Sequence, residues 1–143
     1  MALGIYLADK SAFEQQRHSE AADGLLKALA SEGALHMTEI VALELLYSAR
    51  NPGDYETRWN GLSTLPWLPL TKEVAARALD MQRELAAVGQ HRQPIPDLIL
   101  AATAVEHDAT VLHYDRDFDT IARTTGLNAR WIIPAGTGHG RQP

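Results

Sequence analysis

The chain has 143 residues, 45% of them hydrophobic, a net charge of −5 and no cysteine. That suits one compact domain with its own core and leaves too little length for two. The lack of cysteine excludes a disulfide framework and thiolate zinc sites, and it fits a reducing, cytoplasmic location.

No stretch approaches the eighteen apolar residues of a membrane helix. The opening "MALGIYLADKS" lacks a basic leader and a cleavage site, so no secretion signal is expected. His18, His36, His91, His107, His113 and His139 are scattered, without the i, i+4 pairing of a helical zinc motif. The negative charge argues at first against a nucleic-acid partner. If several acids converge on a bound cation, however, the remaining protein is close to neutral and can still present a basic rim.

In chain order, "GIYLAD" (Gly4–Asp9) reads as a short buried strand ending in an acid. Ser11 and Glu14 then have the spacing of a capping box, opening a helical stretch that runs through Ala22, Leu25, Leu26 and Leu29 to Gly33. "ALHM" (Ala34–Met37) is a second strand, and Thr38 opens a helix to Ala49. "NPGD" is a turn, and Tyr55 to Leu62 a short helix. "LPWLPL", with two prolines, is at best an edge strand. Thr71 to Val88 is a long amphipathic helix, with Val74, Ala78, Met81, Leu85 and Val88 near one face. "GQHRQPIP" is a loop, Asp97 to Glu106 a helix rich in alanine, "TVLHY" a strand, "DFDTIART" a short helix and "ARWII" a last strand. Residues 1–134 form the expected domain, and 135–143, rich in Gly and Pro, a flexible C-terminal tail.

Strands alternating with helices imply an α/β fold with a parallel sheet covered on both faces. Sites in such sheets form at the C-terminal ends of the strands. Asp9 ends the first strand and Asp115 a later one, so both point to the same edge.

"DRDFD" (Asp115–Asp119) admits several readings. One is a solvated turn whose acids favour the start of a helix. A calcium loop would need Gly at its sixth position and Glu at its twelfth; the chain has Thr120 and Gly126, which rejects it. A phosphatase of the haloacid dehalogenase type begins with Asp-x-Asp after a strand, but most of its catalytic chain follows that motif. Here the chain after Asp117 is short and has no lysine.

Two further acids interrupt apolar helical runs: Glu44 in "VALELLY" and Asp97 in "PIPDLILAA". Either alone is most simply a buried ion pair or a cap. Four such acids brought together are another matter. Carboxylates about 5 Å apart repel by ~3 kcal/mol per pair at an effective dielectric of ~20, or ~20 kcal/mol for the set. That exceeds the ~5–15 kcal/mol by which a domain is stable. Such a cluster must bind cations or hold protons, and oxygen-only ligands favour Mg²⁺, with Mn²⁺ as a substitute.

Asp9 in "YLADKSA", Glu44 in "ELLYSAR", Asp97 in "PDLILAATA" and Asp115 with Asp117 in "VLHYDRDFD" resemble, in order and spacing, the acidic motifs of PIN-domain ribonucleases. Within that family the chain looks like a VapC toxin of a type II toxin–antitoxin pair, over Gly4 to Ile133. Lys10 stands where many relatives carry Thr. The resemblance implies a Rossmann-like α/β/α sandwich and a magnesium-dependent endoribonuclease that hydrolyses RNA phosphodiester bonds. It also implies a homodimer and inhibition by a VapB-like antitoxin. By the same carry-over Asp9 and Asp97 are the firmest metal ligands, Glu44 and Asp115 complete a catalytic quartet, and Asp117 is the last metal-site residue, with water or outer partners as its alternative role. Glu44 and Asp115 are the candidates to take a proton from water. Ser11, Lys10, Arg116 and Arg92 are candidate RNA contacts, with helix capping as the alternative for Ser11 and solvated charge for the others. Trp59, Trp67 and Trp131 are read as core or interface residues. Tyr47, Tyr55, Trp59 and Leu62 are read as a groove for an amphipathic antitoxin helix. The alternative functions are a binding module that keeps the fold without the chemistry and, as the weaker runner-up, a phosphatase of the haloacid dehalogenase type.

Overall fold

The computed structural model describes residues 4–140. Its elements run β1 (Ile5–Ala8), α1 (Lys10–Gln16), α2 (Glu20–Ser31), β2 (Leu35–His36), α3 (Glu39–Tyr47), α4 (Pro52–Leu62), α5 (Lys72–Ala86), α6 (Ile95–Glu106), β3 (Ala109–His113), α7 (Arg116–Thr124) and β4 (Asn128–Trp131). The strands form one parallel sheet in the order β2-β1-β3-β4. Alternation along the strands sends their side chains to two cores. Leu7 and Val111 face a core built with α3, α5, α6 and α7. Ala8 and Leu112 face a second core with α1 and α2. The result is the expected α/β/α sandwich around a parallel sheet.

Local chemistry moves several of the expected boundaries. Asp9, not Ser11, caps α1, because its carboxylate accepts from Ser11 N. The single helix expected from Ser11 to Gly33 is two helices, since the Ser19 side chain accepts from Ala22 N and starts α2 afresh. The "NPGD" turn is the start of α4, with the Asn51 side chain accepting from Asp54 N and Pro52 in the first turn. The helix expected from Asp97 begins at Ile95, after Pro94. "LPWLPL" is extended and joins the sheet only through a bridge between Trp67 and Met37.

The sheet order positions the site. From β1 the chain crosses to β2 on one side, and β3 and β4 lie on the other. The direction of winding therefore changes between β1 and β3, where α/β sheets open a crevice at the carboxyl ends of their strands. Asp9 N donates to Leu112 O (2.9 Å), which locks the end of β1 to β3. α6 is lined with Ala101, Ala102 and Ala104, all fully buried, so its backbone lies close to its neighbours and its first turn reaches the crevice.

Part of the tail expected to be loose makes specific contacts. Tyr114 Oη accepts from Gly136 N (3.0 Å) and Gly138 N (2.8 Å). The Gln15 amide pairs with both backbone groups of His139 (2.8 and 2.9 Å). A Cβ at Gly138 would lie 2.6 Å from the Tyr114 ring, so only glycine fits there. Residues 141–143 lie outside the described residues. Tyr114→Phe removes the shared acceptor, so amide exchange at Gly136 and Gly138 should accelerate roughly tenfold, the worth of about one hydrogen bond. Hydrogen-exchange NMR of both proteins checks this.

Candidate metal centre

The five acids singled out from the sequence reach the crevice from four separate elements. Asp9 follows β1 and is buried. Glu44 lies mid-α3 and is half-buried. Asp97 sits in the first turn of α6, also buried. Asp115 is the N-cap of α7, and Asp117 lies in that helix's first turn. Asp97, Asp115 and Asp117 each offer an oxygen within 4.8 Å of the others. Asp9 and Glu44 flank this trio. The tightest grouping thus includes Asp117, the last of the five metal-site candidates read from the sequence, and leaves Asp9, read there as one of the firmest, outside it.

Electrostatics tie the five together. Burial pushes the Asp97 carboxyl up to about 8, helped by the charges of Asp9, Asp115, Asp117 and Glu44. Asp9 is raised by burial and then by Asp115, against two hydrogen bonds from Ser11 that favour its charge. Glu44 is raised by burial first and by Asp9 next, with Lys10 opposing. Asp117 is raised by burial, Asp115 and Asp9. Asp97 Oδ2 is buried with no hydrogen-bond partner. A buried carboxylate oxygen without a donor is costly unless a proton or a cation meets it. An all-oxygen donor set around such an orphan fits a hard divalent cation of the Mg²⁺ or Mn²⁺ type.

The backbone around the acids is fixed by side chains two residues upstream. Asp9 Oδ2 accepts from Ser11 N (3.0 Å) and from Ser11 Oγ (2.6 Å). Ser11 Oγ in turn accepts from Tyr114 N (2.8 Å). The serine read as an RNA contact thus spends its hydroxyl proton on Asp9 and ties α1 to the end of β3. Asp115 Oδ1 accepts from Asp117 N (2.9 Å). Asp115 N donates to His113 Nδ1 (3.1 Å). His113 is fully buried, and burial pulls its imidazole down to about 4, so the ring is neutral at pH 7. Among the candidate cations, Lys10 pairs with Glu14 (3.6 Å) at the rim. Arg116 is exposed between Asp115 and Asp117, and Arg92 is exposed on the connection before α6.

Asp119 stands apart from the cluster: its carboxylate accepts from Trp131 Nε1 (3.2 and 3.1 Å). Sequence reasoning missed His113. Its signal was the strand alternation that sets it on the buried face of Val111, directly beneath the acidic turn.

The PIN domain family profile matches residues 9–124. The chain is 42% identical to ribonuclease VapC51 of Mycobacterium tuberculosis, covering 92% of this chain and 96% of that protein. It is 37% identical to ribonuclease VapC18 of the same organism, covering 93% and 98%. Among solved structures, VapBC2 of Rickettsia felis bound to a promoter DNA fragment superposes with a TM-score of 0.74 at 19% identity, over 88% of this chain and 97% of that one. VapBC of Salmonella typhimurium bound to DNA gives 0.73 at 17%, over 92% and 100%. The solved structures carry the fold, and the sequence relatives carry the family. The chain belongs to the PIN-domain family and, within it, to the VapC ribonucleases.

Proposed function

We propose that the protein is a Mg²⁺-dependent endoribonuclease acting as the toxin of a toxin–antitoxin pair, with Mn²⁺ able to substitute. The observation that carries this is the buried, partnerless Asp97 Oδ2 at the centre of five converging carboxylates. In this reading Asp97, Asp115 and Asp117 hold the cation, and Asp9 completes its surroundings through the oxygen that Ser11 leaves free. A cation bound there lowers the pKa of water and neutralises charge on the phosphate. Glu44 is the better placed of the two candidate bases: it lies outside the trio, whereas Asp115 is already engaged as a helix cap. Its raised affinity for a proton suits it to take one from the attacking water. Lys10 and Arg116 at the rim, with Arg92 on the connection before α6, are the cations for the RNA backbone.

The partner in this reading is a VapB-like antitoxin. The groove expected around Tyr47, Tyr55, Trp59 and Leu62 divides in the structure. Leu62 joins Phe13, Leu26, Leu45 and Leu65 in an open groove of about 650 Å³ between α1–α2 and α4, with Arg17 and Arg58 beside it. Tyr47 and Tyr55 line a separate depression, and Trp59 packs edge-on against Trp67. The first groove has the apolar lining an amphipathic antitoxin helix needs. A homodimer belongs to the same reading, with Leu43, Tyr47 and Leu79 as exposed apolar side chains available to it.

Asp97→Asn keeps the shape of the side chain and removes a charged ligand. RNA cleavage should fall at least ~100-fold, as should cleavage by the native protein in EDTA. Asp119→Asn keeps one acceptor for Trp131 and should remain active, losing about 1 kcal/mol of stability. Cleavage assays and thermal melts on the two variants check both statements.

Metal-free protein should also show an unusual pH dependence. Asp97 titrates at about 8 in the fold and near 3.8 in an unfolded chain. Between those values the folded state binds a proton that the unfolded state has released, so stability falls as pH rises from about 4 to 8. Melting temperatures in EDTA across that range should decline, and Asp97→Asn should flatten the decline.

A further inference from the structure

The acidic turn after β3 is organised by two hydrogen bonds of the same kind in series. Asp117 N donates to the side chain of Asp115, and Asp115 N donates to the side chain of His113. Each link runs from a side chain to the backbone amide two residues on, the geometry of an Asx turn. Two of the three acids that come closest together thus take their backbone positions from a chain of contacts whose first member is His113.

His113 is built to be that anchor. Its ring is fully buried between Phe118 (centroids 5.1 Å apart) and Trp131 (4.9 Å). Because Nδ1 accepts from Asp115 N, the proton of the neutral ring is on Nε2. That atom is buried without a hydrogen-bond partner; Asp119 Oδ1, at 3.9 Å, is too far for one. A ring kept for packing alone would be better served by phenylalanine, which leaves no orphan donor. What histidine adds here is the acceptor at Nδ1.

We infer that His113 is a positioning residue, which sets Asp115 and, through it, Asp117 at the separation that one divalent cation requires. The inference rests on the metal-nuclease reading above. Groups that orient metal ligands from behind typically contribute 10–100-fold to metal affinity.

Two substitutions separate positioning from packing. His113→Phe keeps an aromatic ring between Phe118 and Trp131 and removes the acceptor. His113→Asn gives up the ring but puts Oδ1 where it can accept from Asp115 N, as asparagine commonly does in this turn. Mn²⁺ titrations by calorimetry, thermal melts without metal and RNA cleavage are measured on both variants and the native protein. His113→Phe should melt near the native protein yet bind Mn²⁺ about 10–100-fold more weakly, while His113→Asn melts lower and stays within about threefold of native affinity. Native-like Mn²⁺ binding by His113→Phe, or a loss in His113→Asn as large as in His113→Phe, overturns the inference and leaves the metal reading standing. Failure of the native protein to bind Mn²⁺ overturns both. If His113→Phe does not fold, the asparagine arm decides: retained affinity supports positioning, and a tenfold loss overturns it.

Discussion

Like charges held together at one sheet edge are the constraint around which this molecule is arranged. Five carboxylates from four separate regions of the chain meet where β1 and β3 end, and the one at their centre is buried with an oxygen that nothing else satisfies. Such an arrangement works against folding, so the rest of the protein has to hold it. The two apolar cores on either side of the sheet supply that rigidity. Without metal the strain is relieved by a proton on Asp97, which the protein retains near neutral pH. A divalent cation bound there would displace that proton, which couples metal affinity to pH.

The sheet order and the local turns divide the work. Winding in opposite directions from β1 opens the crevice and points the ends of β1 and β3 into it. The alanine-rich α6 brings Asp97 in by close packing. The final placement is local. Ser11 fixes Asp9 and reaches across to Tyr114 N, while His113 and Asp115 fix the next acids in turn. Ser11 and His113 therefore contribute by orienting acids. Coarse topology brings the acids within reach of one another, and short side-chain-to-backbone contacts set the last ångström.

Much of this was legible in the sequence, for physical reasons. Asp9, Glu44 and Asp97 each interrupt an apolar run, and that misfit is visible without any structure. The parallel sheet followed from alternating strands and helices, and the convergence of Asp9 with Asp115 from the rule for strand ends. What could not be read was competition among near-equivalent local partners. Ser11 had capping spacing, yet Asp9 two residues earlier took the cap. Ser19 split a helix that periodicity alone would continue. The Tyr47 to Leu62 groove was drawn as one surface because both flanking helices carry apolar residues, but the turn between α3 and α4 sends them to different depressions. His113 was passed over because a lone histidine carries no pattern. Only its contact with the backbone of Asp115 shows what it does.

The central claim is that these acids exist to hold a divalent cation. Anomalous diffraction from crystals grown with Mn²⁺ tests it most directly. The predicted result is a strong anomalous peak bounded by Asp97, Asp115 and Asp117, with Asp9 or Glu44 on its open side. No peak at saturating Mn²⁺, or a peak bound elsewhere while the five carboxylates stay protonated and unliganded, would contradict it.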